Sequence, residues 1–317
     1  MLKYLLSRVA ANVPTLLAIL IAVFFLISIA PGDPVDAFVP PTATLSAQQK
    51  ESLRHELGLD RPLPVRFGRW LAQLAQGDLG YRYKDGDRVS AAIARRIVPT
   101  LTLALAGLTL AALLGILAGL LAARQAGRGI DHGLSLAAYL AVSCPAFLVG
   151  ILALYVFALK LGWFPAGGYS TPGRDDWQDI ARHLMLPATA LSIQFIAILM
   201  RYSRAGVMEA MSQDFIRTAR AKGLTRNQVV LRHAFPNALI PIITVIGTNF
   251  AALLGGAVFI ETVFSWPGMG TLFLDGIESR DYPLIMGITL FMALTILAVN
   301  TLTDLLYSWI DPRIALR

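Results

Sequence analysis

The chain predicts an all-α polytopic membrane protein with six transmembrane helices and a long extracytoplasmic insertion after the first. Three observations carry that expectation. Hydrophobic residues make up 56% of the 317 and charged residues 15%, with a mean hydropathy of +0.62, far from a soluble domain. Six stretches each hold the roughly 20 mainly apolar residues that crossing about 30 Å of hydrocarbon requires. Lys and Arg concentrate on one side of those stretches.

The stretches are Val9–Ala30, Pro99–Ala123, Gly133–Leu159, Leu184–Met200, Ala238–Phe264 and Leu284–Ile310. Lys3 and Arg8 before the first suggest a signal peptide, but the run is longer than a signal core and Ser28-Ile-Ala-Pro31 is a poor cleavage site, so it reads as a retained span. Gly115 and Gly119 form a G-x-x-x-G that admits a second helix closely, within this chain in preference to a dimer. Pro145 should kink the third span, leaving a carbonyl for a neighbouring helix or water. Cys144 beside it is the sole cysteine, which excludes a disulfide or multi-thiolate metal site within this chain.

The fourth stretch is short and should continue as helix through Arg201 and Arg204. Its Gln194 either lines a polar path or bonds a neighbouring helix. The fifth carries Pro241, Asn249, the pair Gly255-Gly256 where bending is cheap, and Glu261. A carboxylate at membrane depth faces a cavity or a partner, unless Glu261, near the outer end, only reaches the interface. In the sixth, Asn300, Thr303, Asp304 and Tyr307 make a polar stripe, with Asp304 in reach of Arg201 or Arg204. Gln194, Asn249, Glu261 and Asn300 are the candidate path residues.

With the N-terminus inside, cytoplasmic segments carry thirteen Lys and Arg against four in the short external loops. The ten in the long first loop are set aside, because such a loop translocates largely regardless of charge. Both termini are therefore expected in the cytoplasm, and the net charge of +7 is topological, not a sign of nucleic acid. Pro31-Gly-Asp-Pro34 ends the first span; residues 31–98 form the external region, with an amphipathic helix over Gln48–Leu57 closed by Gly58. Val89–Val98 reads as a helix lying on the membrane surface, Ile93 and Ile97 down and Arg95 and Arg96 toward headgroups. Gly162-Trp-Phe-Pro with Asp175, Asp176 and Asp179 makes a short solvated external loop.

Asp214–Gly223 is a short basic helix between apolar segments. Phe215, Ile216 and Ala219 share one face, and Arg217, Arg220 and Leu224 another. Thr218, Ala219 and Ala221 are small enough for a close partner. Gly223 suits a left-handed cap, and Thr225 with Gln228 makes a capping box for the next helix, to about His233.

The run Arg217-Thr-Ala-Arg-Ala-Lys-Gly-Leu224, with Arg232-His-Ala-Phe-Pro-Asn-Ala-Leu-Ile-Pro241, resembles the "EAA" cytoplasmic loop of binding-protein-dependent ABC importer permeases. Leu57–Pro64, Trp70, Gly77–Tyr81, Glu261-x-x-Phe-x-Trp-Pro-Gly-x-Gly270, Arg280-Asp-Tyr-Pro283 and Asp311-Pro-Arg-Ile314 are similar to the branch handling dipeptides, oligopeptides, glutathione and nickel. Trp266 and Tyr282 read as interfacial anchors.

The resemblance implies the type I ABC importer permease fold in a bacterial inner membrane. Residues 1–30 would be the first span, 31–98 an external scaffold, 99–310 the core with coupling loop 201–237, and 311–317 a cytoplasmic tail. It implies a second homologous permease, two ATPase subunits and an extracytoplasmic solute-binding protein as partners, besides membrane lipid. The ATPase contact would be Asp214, Arg217, Thr218, Ala219, Arg220, Ala221, Lys222 and Gly223. The substrate would be di- or oligopeptides; a nickel chelate or glutathione fits the same motifs, and an ATP-independent channel is the reading of another class. The chain has no G-x-x-x-x-G-K-[ST] phosphate cradle, H-E-x-x-H or G-x-S-x-G, so hydrolysis is expected of separate subunits, and no cofactor is expected.

Overall fold

Long apolar runs broken by Pro and Gly leave helices as the main way to satisfy the backbone in hydrocarbon. A computed structural model describes residues 2–32, 34–35, 46–174 and 176–310, with side chains at all of these except 2–9, 240, 251–252, 256, 304 and 306–310. In chain order the helices are α1 (Leu2–Ile29), α2 (Ala47–Glu56), α3 (Leu63–Ala75), α4 (Val89–Arg124), α5 (Gly129–Ser143), α6 (Ala146–Ala153), α7 (Trp177–Met211), α8 (Asp214–Ala221), α9 (Arg226–Val229), α10 (Phe235–Val263), α11 (Met269–Glu278) and α12 (Tyr282–Ile310). No strand occurs among the described residues, only one antiparallel bridge, Tyr81 with Arg88.

Among the described residues, four helical runs are long and apolar enough to cross a membrane unbroken: Ala10–Ile29, Val89–Arg124, Trp177–Met211 and Tyr282–Thr303. Two bent pairs bring the spans to the expected six, if each pair counts as one. The side chains of Lys3, Arg8, Asp304 and Tyr307, all of Asp33 and Asp175, and the Asp311-Pro-Arg-Ile314 motif with the rest of the tail lie outside the described residues.

The chain divides into two units, Met1–Val98 with Gly268–Ala298, and Pro99–Pro267 with Val299–Arg317. In the first, Ser46 and Gln49 close a capping box on α2, and Gly58 turns the chain at φ +65° into α3. Leu20 and Phe24 of α1 pack with Trp70 of α3 and Met286 of α12. Val89, Ala92 and Ile93 pack with Met269, Leu272, Leu284 and Ile288, an approach that Gly287 permits, since a Cβ there would lie 2.6 Å from Val89.

The expected surface helix over Val89–Val98 is thereby corrected. It is the first part of the unbroken helix α4, and Ile93 is buried against protein. Pro99 removes one backbone donor without ending the helix. The insertion is tied by charge: Arg82 pairs with Asp85 at 2.6 Å and Asp275 at 2.8 Å, and Asp275 also takes Lys84 at 2.7 Å. Buried Asp281 caps α12, accepting the N–H groups of Tyr83 at 2.8 Å and Leu284 at 3.2 Å. Tyr282, read as an interfacial anchor, is buried as well.

In the second unit the third span is broken, not merely kinked. α5 meets the run Ala146–Lys160, π-helical from Leu154, at 100°. Proline pushes its predecessor out of the helical region, and Cys144 is extended at φ −92°, ψ 128°. The fifth span bends by 47° at Leu239–Pro241, while Gly255 and Gly256 sit inside unbroken helix. α7 runs through Arg201 and Arg204 as expected.

The G-x-x-x-G faces α7 of the same chain. A Cβ at Gly115 would lie 2.8 Å from Ile196 O, and one at Gly119 2.6 Å from Met200 O and 2.5 Å from Ser203 Cβ. Gly119→Leu therefore overpacks a backbone contact and should lower stability by about 1–3 kcal/mol. The detergent-solubilised variant should melt several degrees below the parent, whereas Gly133→Leu, where nothing among the described residues lies within 4 Å, should not. Equal melting of the two would contradict this packing.

Candidate functional site

The basic segment forms α8, Asp214–Ala221, with Lys222 as cap and Gly223 at φ +81°, the left-handed position its sequence called for. Thr225 and Gln228 close the expected capping box, Thr225 N–H donating to Oε1 at 2.9 Å and Gln228 N–H to Oγ1 at 3.4 Å. The following helix does not stop near His233. It passes through a π-helical turn, Val230–Ala234, directly into α10.

Ile216 and Ala219 are buried in a core with Val207 and Ala210 of α7, Val229, Val230 and Ala234, and Ala238 and Ile242 of α10. Ala219, expected on the partner-facing surface, is thus turned inward. A helix of about two turns can point only part of its circumference outward, and Ile216 draws its i+3 neighbour in with it. Phe215, expected on the inner face, is 41% exposed. The outward set is Asp214, Phe215, Arg217, Thr218, Arg220, Ala221, Lys222 and Gly223. Asp214 and Arg217 pair at 3.5 Å in full solvent, where such a pair adds little. Beside Phe215 a depression of about 410 Å³ is lined by Gly206, Glu209, Gln213, Asn237 and Pro241.

The return turn after α10 is core, which corrects the placing of Trp266 at an interface. Trp266 is fully buried; its Nε1–H donates to Pro99 O at 2.9 Å, its backbone N–H to Glu261 O at 2.7 Å, and Tyr169 meets its ring edge-on at 5.0 Å. Ser265 takes φ +49°, a left-handed conformation rare outside Gly, and Gly168 N–H bonds Phe264 O at 2.8 Å to hold the turn. Glu261 does not reach an interface: it is fully buried, and Thr100 Oγ1 donates to its Oε1 at 3.4 Å.

The other proposed path residues are scattered. Gln194 bonds a neighbouring helix end, donating Nε2–H to Cys144 O at 2.7 Å and so satisfying the carbonyl at the broken span. Asn249 donates to Val245 O, one turn back on its own helix, at 2.7 Å, and Asn300 is exposed on α12.

An ion pair the sequence reading missed stands near the start of α5. Arg204 donates Nε–H to Asp131 Oδ1 at 2.6 Å and Nη2–H to Oδ2 at 2.8 Å, and Gly127 N–H adds a third bond at 2.9 Å. Arg201 lies 5.0 Å from the centre of the Tyr139 ring. Both arginines considered for Asp304 thus have α5 neighbours; an acid just ahead of an apolar run, across a short loop from basic residues, was the readable sign.

Residues 115–316 match the family model described as the binding-protein-dependent transport system inner membrane component, and residues 1–105 match its N-terminal companion. A Brucella suis biovar 1 (strain 1330) protein, provisionally named a peptide permease, is 46% identical over 316 residues, 99% of each chain. The glutathione transport system permease protein of Escherichia coli O6:H1 is 38% identical over 314 residues, again 99% of each. Among solved structures, an inward-facing MetNI methionine ABC transporter superposes with TM-score 0.57 at 14% identity, covering 70% of this chain and 97% of that one. An amino acid ABC transporter crystallised with histidines gives 0.54 at 18%, covering 69% and 94%; at these identities the likeness concerns the fold.

Asp131→Ala leaves a guanidinium that is one-third exposed without its carboxylate. Water offsets part of the loss, so the expected cost is about 1–2 kcal/mol, read as a lower melting midpoint. Arg204→Lys should also melt early, because an ammonium cannot reproduce the two-pronged contact. An unchanged midpoint in both variants would show that the pair does not support the fold.

Proposed function

Because the chain belongs to the binding-protein-dependent transport system inner membrane components, we propose that it is the permease of an ATP-driven importer of di- or oligopeptides, with both termini cytoplasmic. The 46% identity to the Brucella protein over nearly all of both chains favours peptides. Glutathione, itself a tripeptide, is the second reading, favoured by the Escherichia coli relative at 38%. The chain lacks a phosphate cradle of its own, so nucleotide hydrolysis is assigned to two separate ATPase subunits. A second, homologous permease and an extracytoplasmic solute-binding protein complete the assembly.

The observation that carries the mechanism is the seating of α8. Its outward face, Phe215, Thr218, Ala221 and Lys222 with Arg217 and Arg220, is the surface on which an ATPase subunit would bear. Its inward face, Ile216 and Ala219, is set among side chains of both α7 and α10. A push on the outer face therefore displaces the ends of two spans together. Closure of the ATPases would switch the helix bundle from inward- to outward-facing, so that solute released by the binding protein enters. The excess of Lys and Arg in this loop supports a cytoplasmic position for it. Residues 201–237 are then the coupling loop, and 31–98 an external scaffold.

Gly223 holds φ +81°, which proline cannot adopt. Gly223→Pro should still insert in the membrane while ATP hydrolysis by the assembled complex continues without uptake. Uptake at the parental rate would remove the coupling role. Lys222→Cys should react with a membrane-impermeant maleimide only in inverted vesicles; labelling of intact cells would reverse the topology.

A further inference from the structure

A cavity of about 300 Å³ opens in the first unit, where α3 faces the ends of α1 and α12. Its depth can be read from the spans. Phe24 lies near the end of the apolar run Ala10–Ile29, and Tyr282 is the first residue of the run Tyr282–Thr303. The cavity thus sits where both helices leave the hydrocarbon, at the level of lipid headgroups, whichever side that is.

The lining is cationic and aromatic. Arg61, Arg66 and Arg69 all border it, and among the described residues no carboxylate lies within ion-pair distance of any of the three; the one acid in the lining is Glu56. Arg66 is held over two rings, 5.9 Å from the centre of Phe24 and 5.6 Å from that of Tyr282, contacts that fix the guanidinium yet use none of its N–H donors. Arg61 and Arg69 converge on Gly58: a Cβ built there would be 3.8 Å from Arg61 Nε and 3.9 Å from Arg69 Nη1. Both guanidiniums thus border one spot, where an anion would meet two positive charges at once.

An indole lines the same cavity. Trp70 is nine-tenths buried in the cavity wall, and among the described residues its Nε1–H has no acceptor. A buried indole N–H without a partner is costly and uncommon. Tyr83 adds a phenol whose pKa is pushed up by burial, so it stays protonated. Met286 and the Phe24 and Tyr282 rings continue the lining toward the hydrocarbon with apolar surface.

We propose that this cavity binds a phosphate group, that of an anionic phospholipid entering from the adjoining leaflet, between Arg61, Arg66 and Arg69, with the Trp70 indole N–H as a further donor. Guanidinium groups match phosphate oxygens in geometry and charge, and the apolar side of the cavity suits the first carbons of the acyl chains. The source of the phosphate, lipid or free ion, is separable by experiment. This inference does not depend on the role given to α8.

The test uses the full-length protein purified from membranes in dodecyl maltoside with whatever subunits accompany it. It is titrated with dihexanoyl phosphatidylglycerol, inorganic phosphate and dihexanoylglycerol, reading tryptophan fluorescence and the melting midpoint. Dihexanoyl phosphatidylglycerol should bind saturably. Arg61→Gln/Arg69→Gln should weaken it at least tenfold, and Trp70→Phe, which keeps a ring and removes the donor, severalfold. Inorganic phosphate giving the same response would support the site with the free ion as its source. No saturable response to either phosphate compound would overturn the proposal, as would equal binding of dihexanoylglycerol. Parental affinity in both variants would do the same. Should the double variant fail to fold, Trp70→Phe and the three-ligand comparison on the parent protein still decide.

Discussion

The helix α8, whose outer face is free, could not exist alone. Eight residues are too few for a stable isolated helix in water, and α8 carries three positive charges on or beside its last turns. What holds it is the burial of Ile216 and Ala219 among side chains of α7 and α10. Full burial of an isoleucine contributes about 1.5–3 kcal/mol, enough to order one short helix. Under the proposed coupling role the same two side chains would pass a load on, because a rod fixed only at its ends by flexible loops would yield instead. Gly223 and the Thr225 capping box then end one helix and start the next within four residues, leaving little slack.

Elsewhere the second unit is governed by the cost of unpaired polar groups in hydrocarbon. The break between α5 and α6 exposes a carbonyl at Cys144, and Gln194 of α7 supplies the missing donor. Pro99 and Trp266 answer each other likewise, a carbonyl within a proline-containing helix accepting the one hydrogen of a buried indole. Irregular backbone at such places survives because another element of the chain takes over the hydrogen bond that water would otherwise make. The residues that looked like a polar lining are, at Gln194 and Asn249, largely spent in this way.

Local signals were legible wherever the cause is local. The capping boxes at Ser46 and Thr225, the left-handed Gly58 and Gly223, and the close approach at Gly115 and Gly119 each follow from what a few neighbouring residues can do sterically. The family motifs were legible for the same reason, being contiguous strings. Trp266 was misplaced because an aromatic beside Pro and Gly at the end of a span has the same sequence appearance whether it faces headgroups or Pro99. Val89–Val98 was misplaced because an apolar face says only that something covers it, and here that is Met269, Leu284 and Ile288, nearly 200 residues away.

Composition, span length and charge asymmetry by themselves determined that this is a six-span helical membrane protein with a cationic helix between its fourth and fifth spans. The motif strings pointed to its family. Only the tertiary structure decided which side of that helix is free, which arginine Asp131 holds, that Glu261 is enclosed, and that three arginines and a buried indole line one cavity. Periodicity and hydropathy depend on neighbours a few positions apart, whereas pairing and burial depend on residues brought together from distant parts of the chain.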